Sequence, residues 1–197
     1  MIKEDSVSLG LSLGAVMIPI YLATFIGFHT LLLIPTFMLL TGITFQMWIS
    51  RKIEHDESLS VLETKDMILY TLIALAGIGI GSIVAPGLFK PPALPALETT
   101  SMQIQGPLLY GALYAISEER FFRGAWTLFL DWKLDNPILT NVGSGGMFMV
   151  YHFAVYGTSP DKLTYVFIAG TILSFVVLRS GRLTPALLGH IFNNVMV

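Results

Sequence analysis

The chain has 197 residues, of which 54% are hydrophobic and only 12% charged, and its formal net charge is −2. A soluble domain carries about 25% charged residues, so the composition excludes an ordinary soluble globule and a disordered chain and points to one bundle surrounded by a lipid bilayer. No bulk basic field marks a nucleic-acid partner, and the absence of cysteine excludes disulfides, thiol nucleophiles and thiolate metal sites.

A membrane-spanning helix needs about 20 mostly apolar residues. The first such stretch is Val7 to Phe28, which contains no charge. It is too long for a signal-peptide core and no small-residue cleavage site follows it, so it reads as a retained anchor. The second stretch runs from about Thr30 to Ser50, and Pro19 and Pro35 inside these two segments are potential kinks. Residues 51–66 are polar and read as a loop. The third stretch is about Met67 to Phe89, where Gly77 and Gly81 have the small-xxx-small spacing that permits close helix contact, as do Gly10 and Gly14 earlier. Residues 85–107 hold Pro86, Pro91, Pro92, Pro95 and Pro107, half of the ten prolines, and read as a loop.

The fourth stretch is about Pro107 to Leu130 and carries EERFFR in its middle. The fifth is about Pro137 to Tyr156 and contains the glycine-rich GSGG. The sixth is about Thr164 to Leu178. The seventh follows Arg182 and offers roughly 21 Å of helix at 1.5 Å per residue, short for a full crossing. The expected fold is all-α, a polytopic transmembrane bundle of about seven (six to eight) helices forming one domain over 1–197. Within it, 1–106 would be scaffold. Lysines and arginines favour a cytoplasmic N-terminus: Lys3, Arg51, Lys52, Lys65, Lys133, Arg179 and Arg182 would lie inside, Lys90 and Lys162 outside. Trp48, Trp126 and Trp132 read as interfacial anchors.

Most charges sit in loops or at span ends. Glu118, Glu119, Arg120 and Arg123 do not. A charge at the centre of a membrane helix costs about 2.5–3.5 kcal/mol, so such residues persist when paired or facing a wet cavity, and they mark a functional site by default. At 100° per residue, Glu119 and Arg123 fall one turn apart on one face and can form an ion pair. Glu118 lies 100° away, which leaves its carboxylate to meet water or a substrate and serve as a general base. Arg120 is expected to snorkel towards the interface.

Two of the four histidines, His152 and His190, lie in apolar segments. His190 and Asn194 share a helix face at i, i+4, as do Phe148 and His152. Asn193 points elsewhere and reads as ordinary, and Phe148 reads as packing. Three separate helices thus bring carboxylates, imidazoles, an amide and a guanidinium into apolar surroundings. This set suits water activation with stabilisation of an oxyanion.

EERFFR (118–123) fits E-E-x-x-x-R, FMVYH (148–152) fits F-x-x-x-H, and HIFNN (190–194) fits H-x-x-x-N. In this order, on successive hydrophobic segments, they resemble the motifs of the CPBP family, the CAAX prenyl proteases and the bacteriocin-processing or Abi-type membrane proteins. The resemblance covers about residues 107–197, which would then be the catalytic core. It implies an intramembrane endopeptidase acting on a peptide or a protein, prenylated or not. Glu118 would be the base that activates water and His152 would hold that water. His190 and Asn194 would line the oxyanion hole, with Glu119 and Arg123 orienting the site. The family is often filed among metalloproteases. If zinc is bound, Glu118, His152 and His190 would be its ligands. The chain stops three residues after Asn194, so the final helix of larger members is expected to be absent.

Competing readings follow from the same residues. Glu118, Glu119 and Arg123 could form a purely structural ion-pair network. His152 could be an ordinary hydrogen-bonded interior histidine, and His190 with Asn194 could be interhelical polar glue. No H-E-x-x-H is present, which disfavours zinc proteases of that signature. Ser144 in VGSGG suggests a serine nucleophile, but its glycine pattern is off by one position. A non-enzymatic membrane protein, such as an immunity factor, scaffold or transporter-associated subunit, could use the same cavity for binding. An ion or proton carrier is a third reading.

Overall fold

The structure, a computed structural model, describes residues 33–52, 64–88 and 108–196. The expected first span at 7–28, its Gly10, Gly14 and Pro19, the turn histidines His29 and His55, and Pro91 to Pro107 lie outside the described residues. Seven α-helices and one π-helical turn make up those residues, with no strand among them: α1 (Leu33–Lys52), α2 (Thr64–Leu88), α3 (Leu108–Phe121), the π-turn (Phe122–Thr127), α4 (Leu128–Leu134), α5 (Pro137–Tyr156), α6 (Pro160–Ser180) and α7 (Thr184–Met196). Since α3, the π-turn and α4 run on without a break, the described residues form six rods. Among the described residues, two helices are long and apolar enough to cross a membrane: Asp66–Ala85 of α2 and Pro160–Ser180 of α6.

Local chemistry fixes the ends. Asn136 caps α5: its side-chain oxygen accepts from the N–H groups of Ile138 and Leu139, both at 3.1 Å. Pro137 follows at the first helical position, where a missing N–H costs nothing. Pro160 opens α6 in the same way, so α6 starts four residues before the expected Thr164. Gly181 closes α6 in the left-handed conformation at φ 64°, which glycine adopts without steric penalty. Two prolines behave differently from expectation. Pro35 falls in the first turn of α1, where proline is tolerated, and α2 continues through Pro86 to Leu88.

Helix α6 is the hub, packing on α5, α2 and α7, while α1 closes on α3 and α7 fills the gap between α2 and α3. Small residues set the seams. A Cβ on Gly77 of α2 would come within 2.5 Å of Ile172 on α6, and one on Gly81 within 3.1 Å of Ile168. The α5–α6 seam is tighter. A Cβ on Gly145 would run into the Thr171 side chain and lie 2.8 Å from the Phe167 carbonyl oxygen. One aromatic cluster, with Phe45, Phe121, Phe122, Trp126, Phe129 and Phe148, fills the space between α1, the π-turn and α5. A second, around Ala74, Ile78, Leu173 and Val177, joins α2 to α6.

Two surface expectations are corrected. Trp126 is not an interfacial anchor: the π-turn directs it into the aromatic cluster, where it is 6% exposed and stacks on Phe129 at 5.7 Å. Arg120 does not simply snorkel: its Nη1 donates to Oε1 of Gln46 on α1 at 2.8 Å, a polar link between the two helices.

Candidate active site

The end of α3 carries the two carboxylates. Glu119 is fully buried, and its Oε1 lies 3.0 Å from Nη1 of Arg123, also fully buried, one turn along in the π-turn. The same oxygen accepts from Nδ1 of His190 on α7 at 2.8 Å. Arg123 is held from two further sides. Its Nη2 donates to the Gly170 carbonyl oxygen on α6 at 3.3 Å, and its guanidinium sits 4.2 Å from the centre of the Phe148 ring on α5. The guanidinium thus meets a carboxylate, a carbonyl oxygen and an aromatic face, which offset the cost of burying the charge, while its Nε has no hydrogen-bond partner among the described residues.

Glu118 points elsewhere. It lines a cavity of about 680 Å³ between α2, α3, α5, α6 and α7, together with His152, His190, Asn194 and Tyr151. Its Oε2 is 3.5 Å from Nε2 of His190. Because Glu119 accepts at Nδ1, that nitrogen carries a hydrogen. Nε2 and the Glu118 oxygen are then two acceptors face to face unless one hydrogen lies between them. One shared proton, on the imidazole or on the carboxylate, would relieve that opposition.

His152 stands across the cavity on α5. Its Nδ1 lies 2.8 Å from the Phe148 carbonyl oxygen one turn back. A carbonyl only accepts, so Nδ1 bears the hydrogen and Nε2 keeps its lone pair. Rings pack it from both sides: Phe148 and Tyr151 edge-on at 4.4 and 4.9 Å, and Tyr156 stacked at 5.6 Å. Phe148 is thus more than packing beside His152, since the same ring receives Arg123.

On α7, Nδ2 of Asn194 donates to the Gly111 carbonyl oxygen of α3 at 3.3 Å. Its neighbour Asn193 is not an idle residue. Its Oδ1 accepts from the Tyr165 hydroxyl at 2.9 Å, tying α7 to α6 along the cavity wall. The six residues singled out in the sequence thus fall into one cluster of four (Glu118, Glu119, Arg123 and His190), with His152 and Asn194 on the same cavity.

Three features escaped sequence reading. Tyr151 lines the cavity and hydrogen-bonds the Glu118 carboxylate, but a tyrosine in an apolar helix gives no signal of its own. Gly170 matters for its carbonyl, which sequence does not mark. Ser144 belongs to a fully buried hydroxyl cluster behind Arg123. It lies 2.7 Å from both Thr127 and Ser174, and Ser174 donates to the Gly170 oxygen at 3.0 Å. This explains its place beside the glycines and removes it from nucleophilic chemistry, for it does not line the cavity.

Zinc would need about three convergent ligands. The Nδ1 bonds of His190 and His152 leave Nε2 of each ring free to face a metal, but among the described residues no group of three His, Asp or Glu side chains is placed to hold one. The donors Glu118, His152 and His190 therefore do not fit as a zinc site, and no step below passes through a metal.

The helical bundle thus brings a carboxylate and an imidazole together on the wall of one cavity. Residues 100–196 match the family model described as type II CAAX prenyl endopeptidase Rce1-like. That match, over just under half of the chain, supports a kinship of its second half with the CPBP/CAAX proteases. That family is one of membrane-embedded proteases, which act on peptide or protein substrates. No curated protein and no solved structure gives a match.

Proposed function

We propose that this protein is a multi-pass intramembrane endopeptidase, with its N-terminus in the cytoplasm, that hydrolyses a peptide bond with water activated by Glu118. One observation carries the reading. Of two adjacent carboxylates, Glu119 is consumed by Arg123 and His190, whereas Glu118 borders the cavity with a histidine nitrogen 3.5 Å away. A purely structural network would leave no carboxylate facing an open volume.

The residues take distinct roles. Nε2 of His152, left with its lone pair, accepts a hydrogen bond from the water. Glu118 removes that water's other proton as its oxygen bonds to the substrate carbonyl carbon. The shared proton then resides on Nε2 of His190, which makes it a donor to the oxyanion, with Nδ2 of Asn194 as the second donor after it leaves the Gly111 carbonyl. Glu118 passes its proton to the leaving nitrogen as the C–N bond breaks. Glu119 and Arg123 hold His190 at the angle this requires.

The test compares protein termini in membranes from cells expressing wild type or Glu118→Gln at equal level. New termini with wild type alone would establish a glutamate-dependent peptidase and name its substrates. Identical terminal profiles, with the protein still giving its cellular phenotype, would overturn the reading in favour of a binding or immunity role.

A further inference from the structure

Three hydroxyls behind Arg123 have no part in the proposed chemistry. Thr127 of the π-turn, Ser144 of α5 and Ser174 of α6 are all fully buried. Ser144 is the middle one, 2.7 Å from each of the others, which stand 3.2 Å from one another. Each end of the row also reaches a backbone carbonyl: Thr127 that of Phe122 at 2.9 Å, Ser174 that of Gly170 at 3.0 Å. Each hydroxyl carries one hydrogen. The two contacts at Ser144 are too short to be made without a hydrogen in each, so the third goes to one of the two carbonyls. The row therefore runs one of two ways: from Ser174 through Ser144 and Thr127 to Phe122, or from Thr127 through Ser144 and Ser174 to Gly170.

The direction matters to the site. The Gly170 oxygen has two lone pairs, and the backbone N–H of Ser174, one turn on in α6, takes one of them. The Ser174 hydroxyl and Nη2 of Arg123, 3.3 Å away, are rivals for the other. Only the first direction leaves it to the guanidinium. We propose that Ser144 is a positioning residue: it draws the hydrogen of Ser174 away from Gly170, so that α6 keeps its hold on Arg123. For its part in catalysis this rests on the endopeptidase reading. The effect reaches His190 through a shared atom. Oε1 of Glu119 serves Arg123 at 3.0 Å and Nδ1 of His190 at 2.8 Å. A guanidinium released by Gly170 turns its charge on that oxygen, which then binds the imidazole more weakly. Ser144 thus acts at a distance, without touching the cavity.

The test reads the Nδ1–H proton of His190 by NMR on protein with isotope-labelled histidine in detergent, the signal being identified by its loss in His190→Gln. Ser144→Ala leaves the Gly170 oxygen at 3.0 Å as the nearest acceptor for Ser174, so the signal should move to higher field. Thr127→Val leaves Ser144 only Ser174 to donate to and should do the same, which covers the case in which Ser144→Ala does not fold. Either variant combined with Ser174→Ala lacks the rival donor, and its signal should return to the wild-type position. Lost packing alone would instead make the double variants the worst of the set. An unmoved signal in both single variants, or double variants no nearer wild type than the singles, overturns the proposal. Turnover of a pool of S-farnesylated peptides is followed on the same proteins. One hydrogen bond is at stake, so kcat should fall about 3- to 10-fold in Ser144→Ala at unchanged KM and recover in the double variant. If wild type and Glu118→Gln cleave alike, the endopeptidase reading fails, and the NMR comparison still decides the positioning.

Discussion

Helices α2 and α6 are the two described segments able to cross a membrane, yet their surroundings differ. Only 17% of the α2 span is buried within the bundle, against 50% of the α6 span. Ile68, Leu69, Leu72, Ile80 and Ile83 stand exposed on α2, an apolar face suited to lipid. Helix α6 carries serine, threonine and glycine on its packed faces, presents the Gly170 carbonyl to Arg123, and borders the cavity with Tyr165 and Lys162. Hydropathy makes both of them candidate spans, but the buried polar groups distinguish the wall from the working part.

Four substitutions sharpen this contrast, beginning with the largest effect. Arg123→Met removes the cation that α6 and Glu119 share and leaves a buried carboxylate beside His190. A broken buried pair costs about 3–5 kcal/mol, so denaturant titration in detergent should register a loss of that size or no folded protein. An unchanged midpoint would mean that the α6 contact contributes nothing. Next, Gly145→Ala at the α5–α6 seam meets backbone atoms that cannot move aside and should cost about 1–3 kcal/mol. At the α2–α6 seam, Gly77→Ala meets side-chain atoms of Ile172, Cγ2 at 2.5 Å and Cδ1 at 2.7 Å, and no backbone atom among its nearest neighbours, and the gain of about 1 kcal/mol in helix propensity offsets part of the crowding. The two variants compared by thermal melting should therefore differ, with Gly77→Ala the nearer to wild type. If Gly77→Ala proves the worse of the two, the roles of the seams are reversed. The smallest effect belongs to Ile83→Ala on the lipid-facing side of α2, expected within about 0.5 kcal/mol of wild type in the same assay.

The sequence made some of this legible. Long apolar stretches located the described helices to within a few residues, because polar and proline-rich segments separate them. Helical spacing placed Glu119 on Arg123, because one turn of α-helix fixes which side chains meet. Approaches between helices follow no such rule. Nothing in HIFNN says that His190 bridges both carboxylates, because that depends on how closely α7 nears α3. Tyr151 and the Gly170 carbonyl were invisible for the same reason. Arg120 and Trp126 were misplaced because span ends were taken from hydropathy. The helix carrying them continues to Leu134 and packs against α1.

The π-turn at Phe122–Thr127 explains part of that error and has a consequence for engineering. In a π-turn the backbone N–H reaches the carbonyl five residues back, where an α-helix reaches four, and here the Thr127 hydroxyl also donates to the Phe122 carbonyl oxygen at 2.9 Å. The rod from Leu108 to Leu134 therefore carries one residue more than its α-helical turns need, and its two ends run out of phase by about 100°. One rod thus has two helical wheels, one aiming Glu118 and Glu119 at α7 and the other aiming Trp126 and Phe129 at α1. Excising one residue here, Ala125 for example, would merge the wheels. The carboxylates would keep their bearing while every side chain beyond turned away from its partner. In this rod the count of residues is part of the design, and a deletion is a larger change than a substitution.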